Sequence, residues 1–399
     1  MRFHSPVTKA YKKHCTLLII ILYAVCISCI DKKTERSKSI DHVVSSHVTL
    51  FSDLKLIEGQ KPSTMIMDSL INLVDRTYEK DTIYMGIYLF EHQGLINALI
   101  RAGKRKVQLN ILVDSSKRSN NGNTVTTLSA MKEHSEVVTI KNNNGASAIN
   151  HNKFVLFSGT TFLGERQKNI VFQTSHNFIE KGTHKIQDAN IISNRNLYDA
   201  YVEYWSMMKS HKDSTMNNYE FMEFYDEPSH IRAQFYPKRH NGKVMEPDGM
   251  VTLLKQIKNP DKASVQIGMS DWSDSRTEIA DELIRLCGQG TKVTVITKNG
   301  KGLKLMGKLE EIKQQGGRIK IYNLVNKDKP RINIHMKTML IKEMVQGKPM
   351  TKVVTGTQNF TNNAIWNNNE TTLIFNDTIT YKHYSSFFKK LMELPGVDG

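Results

Sequence analysis

Strand-length apolar runs alternate with helical stripes along most of this chain, and the same succession occurs twice. Val48-Thr49-Leu50-Phe51 reads as a strand, and its counterpart Ile231-Arg232-Ala233-Gln234-Phe235 places Phe235 184 residues after Phe51. Met67, Leu70, Ile71 and Val74 keep the i, i+3, i+4, i+7 spacing that lines up one helix face, and Met250, Leu253, Leu254 and Ile257 repeat it 183 residues on. Ile83-Tyr84-Met85-Gly86-Ile87 answers to Val265-Gln266-Ile267-Gly268-Met269 at 182. A helix around Leu99-Ile100-Arg101 answers to one around Leu283-Ile284-Arg285 at 184, and the strands Val107 to Val113 and Val293 to Thr297 follow in each copy. Matches that hold one offset to within two residues over such a length mark a duplication.

Each copy reads as strand and helix three times over, then a cluster of strands, then a closing helix at 195 to 210 or 379 to 392. Strands alternating with helices predict an α/β fold with largely parallel pairing and helices on both sheet faces. A length of 399 residues suits two such domains. The expected lobes are 46–215 and 229–399, joined through the polar stretch His211 to Asn218 and Pro228. Asn-rich pieces at Ser119 to Asn123 and Asn142 to Gly145 read as surface loops. The economical assembly is a pseudo-two-fold pair of lobes facing one cleft, for which a monomer suffices.

Ahead of the repeat, Arg2, Lys9, Lys12 and Lys13 precede the apolar run Leu17 to Ile27, Ser28-Cys29 and a polar stretch from Asp31 to Arg36. A basic start, a short apolar core and a small residue describe an export signal over residues 1–28, followed by a polar tether over 29–45. Ser28-Cys29 resembles a bacterial lipoprotein cleavage site with Cys29 as the lipidated residue, although Cys26 stands where Leu is usual. Cleaved soluble export and a short uncleaved anchor are the other readings, and each places the protein in the cell envelope or outside. Cys15, Cys26 and Cys29 all belong to this segment. Cys287 is then the one cysteine of the folded part, in an apolar setting that suits burial, so neither a disulfide framework nor a cysteine metal site is expected. A formal net charge of +16 favours anionic partners such as nucleic acid, acidic lipid or phosphate esters.

The chemistry sits in the strand clusters. Asn150-His151-Asn152-Lys153 precedes Thr174-Ser175-His176-Asn177-Phe178, and Ile334-His335-Met336-Lys337 precedes Gly356-Thr357-Gln358-Asn359-Phe360. On these residues the chain resembles the phospholipase D superfamily, over roughly 46 to 392, and specifically a secreted bacterial phospholipase D-like branch. The resemblance implies two tandem phospholipase D-like α/β sandwich lobes with one shared active-site cleft, and a phosphodiesterase that needs no metal or cofactor. It implies that one histidine attacks phosphorus to form a phosphohistidine while the other protonates the leaving alcohol. Analogy makes His151 the nucleophile and His335 the acid and base, whereas pseudo-symmetry alone leaves the two interchangeable. Lys153, Lys337, Asn177 and Asn359 would hold the phosphoryl oxygens, with Ser175 and Thr357 adding hydroxyls or fixing the turn. Asp188 and Glu370, each eleven residues after the motif Asn, are the candidate carboxylates for orienting an imidazole.

The pattern departs from the family at one point. The family's Asp, seven residues after the His, is replaced by Ser158 and Lys342, as is also seen in tyrosyl-DNA phosphodiesterases. The long His-to-Asn spacing predicts extended hairpins between the motif strands. Tyr88 and Trp272 are candidates for the cleft mouth or for core. Lys298, Lys301, Lys304 and Lys308 are candidates for polyanion contact or a solvated helix face, and His92, His176 and His184 are read as loop or surface residues. The first reading is therefore a phospholipid headgroup phosphodiesterase tethered to a membrane by its lipid. An extracytoplasmic nuclease and a catalytically silent lipoprotein that binds anionic lipid or polyanion are the alternatives.

Overall fold

The computed structural model describes residues 46–396 except 117, 120, 143, 146, 213–218 and 329. The expected signal, tether and Cys29 lie outside the described residues. In the first lobe, β1 (His47–Phe51) leads into α1 (Leu54–Glu58) and α2 (Met65–Asp75). Next come β2 (Thr82–Ile87), α3 (Gln93–Lys104), β3 (Gln108–Asp114), α4 (Gly122–Ser129) and β4 (Ser135–Ile140). The motif strands β5 (Lys153–Phe162), β6 (Glu165–Thr174) and β7 (Asp188–Ser193) follow, and α5 (Arg195–Ser210) closes the lobe.

The second lobe repeats this plan. It opens with β8 (Met222–Asp226), β9 (Ile231–Phe235), the small ribbon β10 (Arg239–His240) and β11 (Lys243–Val244), and α6 (Gly249–Lys255). It continues through β12 (Ala263–Met269), α7 (Glu278–Gly288), β13 (Lys292–Lys298), α8 (Leu303–Gln314) and β14 (Arg318–Tyr322). The motif strands are β15 (Lys337–Val345), β16 (Lys348–Gly356) and, after the short α9 (Asn362–Trp366), β17 (Thr371–Phe375), with α10 (Thr378–Glu393) last. The helical stripe at 250 to 257 is cut short, because α6 ends at Lys255 and leaves Ile257 beyond it.

The sheets run β1-β7-β6-β5-β2-β3-β4 and β14-β13-β12-β15-β16-β17-β9-β8. They are mixed rather than largely parallel. Parallel pairing is confined to β2-β3-β4 and β12-β13-β14, where helices supply the crossovers, while β5-β6 and β15-β16 are tight hairpins and the motif strands pair antiparallel. In the first lobe the hairpin turns at Leu163 and Gly164, both at positive φ, and Gln346 and Gly347 do the same in the second. The second sheet also begins earlier than residue 229, with β8 as its edge strand.

Burial explains the layering. One apolar cluster joins α2 and α3 to the outer face of the first sheet, and another joins α6, α7 and α8 to the second. A third lies between the sheets, where Tyr201, Tyr204 and Trp205 of α5 meet Phe154, Phe235 and Leu373, and where α10 adds Tyr384, Phe387 and Phe388. The closing helices are thus sandwiched between the lobes, and the described residues form one compact unit. Cys287 is buried, as its apolar setting predicts. No helix among the described residues is long and apolar enough to cross a membrane.

Candidate active site

Each motif histidine is hooked by its backbone to the other lobe. The His151 N–H donates to the Asn369 carbonyl at 2.8 Å, and the His335 N–H donates to the Ile186 carbonyl at 2.9 Å. Single bridges pair Asn150 with Asn369 and Ile334 with Ile186. The two lobes therefore exchange equivalent segments, and Lys185-Ile186-Gln187 occupies in one half-site the place of Asn368-Asn369-Glu370 in the other.

The imidazoles are held the same way but by different groups. His151 Nδ1–H donates to Glu370 Oε2 at 2.8 Å, and Asn368 Nδ2 donates to the other carboxylate oxygen at 2.9 Å. His335 Nδ1–H instead lies 2.9 Å from Gln187 Oε1 and 3.1 Å from the Ser175 carbonyl. The Gln187 amide is fixed in that sense because its Nε2 donates to the Gly182 carbonyl. Glu370 keeps the His151 proton on Nδ1 and its lone pair on Nε2, and at His335 the two oxygens favour the same tautomer, with Lys337 Nζ also 3.3 Å from Nδ1.

Asp188 is not the orienting carboxylate. Its side chain accepts from Tyr384 Oη at 2.7 Å and from Thr355, inside the interlobe core. The register shows why, since Ser175 N–H donates to the Asp188 carbonyl as Thr357 N–H donates to the Thr371 carbonyl. Asp188 is thus the counterpart of Thr371, and Gln187, 183 residues before Glu370, is the counterpart of Glu370. The offset of the repeat, which varies by two residues, does not separate Gln187 from Asp188, and the hydrogen-bond register does.

Lys153 and Lys337 start their strands almost fully buried, and each ammonium donates to the backbone carbonyl of its own motif histidine. Burial lowers the Lys153 pKa to about 7 and that of His151 to about 4, against a Glu370 charge that opposes both shifts. Burial and then Lys337, with Lys185, Lys153 and Lys298, hold His335 well below its usual range, so both imidazoles are neutral at pH 7. Asn177 and Asn359 each leave a buried side-chain amide oxygen without a partner. Ser175 and Thr357 fix the turn, accepting from the backbone N–H of Asp188 and Thr371 at 3.0 Å.

The remaining candidates divide. Tyr88 packs edge-on against His151 with ring centroids 5.3 Å apart, and Lys153 lies over its face. Trp272 is core, set against Phe360 with its indole N–H on the Arg276 carbonyl. His92 and His176 are buried rather than superficial. His92 caps α3, and His176 packs so closely on Gly182 that a Cβ there would fall 2.4 Å from its ring. Asn142 and Asn144 are also buried, donating to the Asn367 carbonyl across the lobes, because their amides find partners that composition does not reveal.

Sequence reasoning missed Arg276, whose buried guanidinium pairs with Asp248 and donates to the Asn359 carbonyl at 3.1 Å, steadying that loop. It also missed Asp114, which accepts from the Asn150 N–H at 2.7 Å. The larger surface grooves lie elsewhere, one of about 770 Å³ running between β1 and α10. Among the described residues no His, Cys, Asp and Glu cluster has the make-up of a metal site.

A family model described as "Cardiolipin synthase, PLD-like domain" matches residues 70–210 and 253–392, most of the chain and one stretch in each lobe. No curated protein matches in sequence. The crystal structure of phosphatidylserine synthase from Haemophilus influenzae Rd KW20 aligns with 12% identity and a TM-score of 0.54, over 86% of this chain and 85% of that one. Polyphosphate kinase from Porphyromonas gingivalis aligns with 13% identity and a TM-score of 0.54 over 86% of this chain, which spans 50% of the kinase. Nuc, a phospholipase D family member from Salmonella typhimurium, aligns with 20% identity and a TM-score of 0.31, over 42% of this chain and 95% of its own. With the family model covering both halves of a doubled His, Lys and Asn constellation, the chain belongs to the phospholipase D superfamily, as a two-lobed member with the PLD-like domain of the cardiolipin synthase family.

Proposed function

We propose that the protein cleaves phosphodiesters through a covalent phosphohistidine on His151. The observation that carries this reading is the asymmetry of the imidazole partners, Glu370 for His151 and Gln187 for His335. When Nε2 of His151 bonds to phosphorus the ring becomes cationic, and a buried carboxylate on Nδ1 stabilises that charge where a neutral amide does not. His335 is suited to the proton work. An arriving phosphate anion offsets the lysines that hold its pKa down, so that it can take up a proton on Nε2 and give it to the leaving oxygen as the P–O bond breaks. Water then transfers a proton to His335 and attacks phosphorus, releasing His151. Lys153, Lys337, Asn177 and Asn359 hold the equatorial oxygens throughout.

The substrate of this reading is a phospholipid headgroup ester. It is reached by a protein that residues 1–28 export and Cys29 tethers to the membrane, for which loss of fatty-acid labelling in Cys29→Ala is the check. The net charge of +16 favours a nuclease as the second reading. Turnover of a labelled phospholipid, of single-stranded DNA and of bis-p-nitrophenyl phosphate, all in chelator and quenched with alkaline denaturant, tests both. The expected phosphate label lies on His151 and vanishes in His151→Asn. Label on His335 reverses the roles, and no turnover of any of the three removes the enzyme reading.

A further inference from the structure

The pseudo-symmetry that relates the two half-sites breaks down in charge. At the end of β3, beside His151, stands Asp114, and 184 residues on, at the end of β13 beside His335, stands Lys298. At the exchanged segments, Asn368 stands beside Glu370 on the His151 side, while Lys185 stands beside Gln187 on the His335 side. One flank thus carries a carboxylate and an amide at the positions where the other carries two ammonium groups.

Lys298 and Lys185 are half-buried, and neither has an ion pair among the described residues. Lys298 Nζ lies 3.4 Å from both Ser270 Oγ and Asn333 Oδ1. Lys301 stands behind it, with its ammonium on the Ser270 carbonyl at 2.9 Å and on Asp271 at 3.2 Å, so the one carboxylate nearby is already engaged. Desolvation lowers the pKa of all three lysines, that of Lys298 to about 8. Cations packed together in this way are costly without a counter-charge. The single negative charge of a phosphodiester is already met by Lys153 and Lys337.

We propose that Lys298 and Lys185, backed by Lys301 and by the Ser270 hydroxyl, form a subsite for a second phosphoryl group carried by the alcohol that departs next to His335. The inference rests on the proposed roles, because it is the acid, His335, that marks the leaving side. It names a substrate class that the motif residues do not define, a phosphodiester whose leaving alcohol is itself phosphorylated. Asp114 and Tyr88 leave the opposite flank unsuited to a second anion.

The test compares two methyl phosphodiesters with phenolic leaving groups, one bearing a para phosphonomethyl dianion and the other its neutral dimethyl ester. The full chain should prefer the charged leaving group in kcat/KM by at least about 10-fold, in line with interactions of a desolvated charge pair. That ratio should fall to near one in Lys298→Gln and in Lys185→Gln. Running the same pair as dioleoylglyceryl esters in vesicles separates a lipid source from a soluble one. As a binding measure, inorganic pyrophosphate should bind more tightly than inorganic phosphate, and Lys298→Gln should remove the difference. Equal use of the two esters with phosphate still trapped on His151 overturns the subsite and leaves the chemistry standing. Turnover of neither, with no label on His151, overturns both.

Discussion

The two half-sites share a backbone and differ in what they hold. On one side Glu370 and Asp114 surround His151, and on the other Gln187, Lys185 and Lys298 surround His335. Duplication supplied two equivalent imidazoles, and in the proposed mechanism substitutions in their surroundings make the roles unequal. A nucleophile that must become cationic gains from a carboxylate. A proton carrier that must alternate between states works with a neutral partner whose amide is locked by the Gly182 carbonyl.

Making the halves alike should have the largest effect. Glu370→Gln keeps an acceptor for Nδ1 yet removes the charge, and should lower kcat on the order of 10²-fold with little change in KM. Adding Gln187→Glu in that background mirrors the arrangement. If trapped phosphate then moves from His151 to His335, the carboxylate sets the role, whereas label remaining on His151 with unchanged kcat defeats the comparison.

A smaller effect concerns pH. Lys153 titrates at about 7 in the folded protein against an ordinary 10.5. The unfolded chain therefore binds more protons between those values, and the stability of the ligand-free protein should rise with pH across that window. Anion binding needs the protonated lysine and runs the other way, so tungstate affinity should fall as pH rises through about 7. Thermal melts and calorimetric titrations over pH 6 to 9 check both slopes, and Lys153→Gln should make them shallower, the remainder belonging to Lys337 and Lys298, whose pKa values burial also lowers.

The smallest effect belongs to Asp188. Asp188→Asn alters core bonds to Tyr384 and Thr355 and touches neither histidine. It should cost about 1–3 kcal/mol of stability in denaturant titration, with kcat and its pH profile unchanged. A shifted pH profile would return Asp188 to the site.

The order of elements and the closing helices were legible because the stripes and runs repeat at one offset. The mixed sheets were not, since strand alternation says nothing about hairpins that reverse direction inside the motif cluster. His, Lys and Asn were legible as types at fixed spacing. Glu370 was legible as an orienting carboxylate, but which imidazole it serves was not, because it lies across the lobes, 219 residues from His151. Asp188 stands at the same distance from its motif Asn as Glu370 does, and only the hydrogen-bond register of the folded lobes aligns Glu370 one residue earlier, with the neutral Gln187. Lys298 and Lys301 read as members of a basic run, and only the ends of β13 and α8 separate them from the exposed Lys304 and from Lys308, which pairs with Asp281.

The reciprocal exchange of Lys185-Ile186-Gln187 and Asn368-Asn369-Glu370 makes the enzyme a coincidence detector of its own folding. Either lobe made alone carries a histidine, a lysine and an asparagine but lacks the side chain that seats its imidazole. In the proposed mechanism, reactivity toward phosphate esters requires both halves to have docked, by the same contacts that complete the core between them.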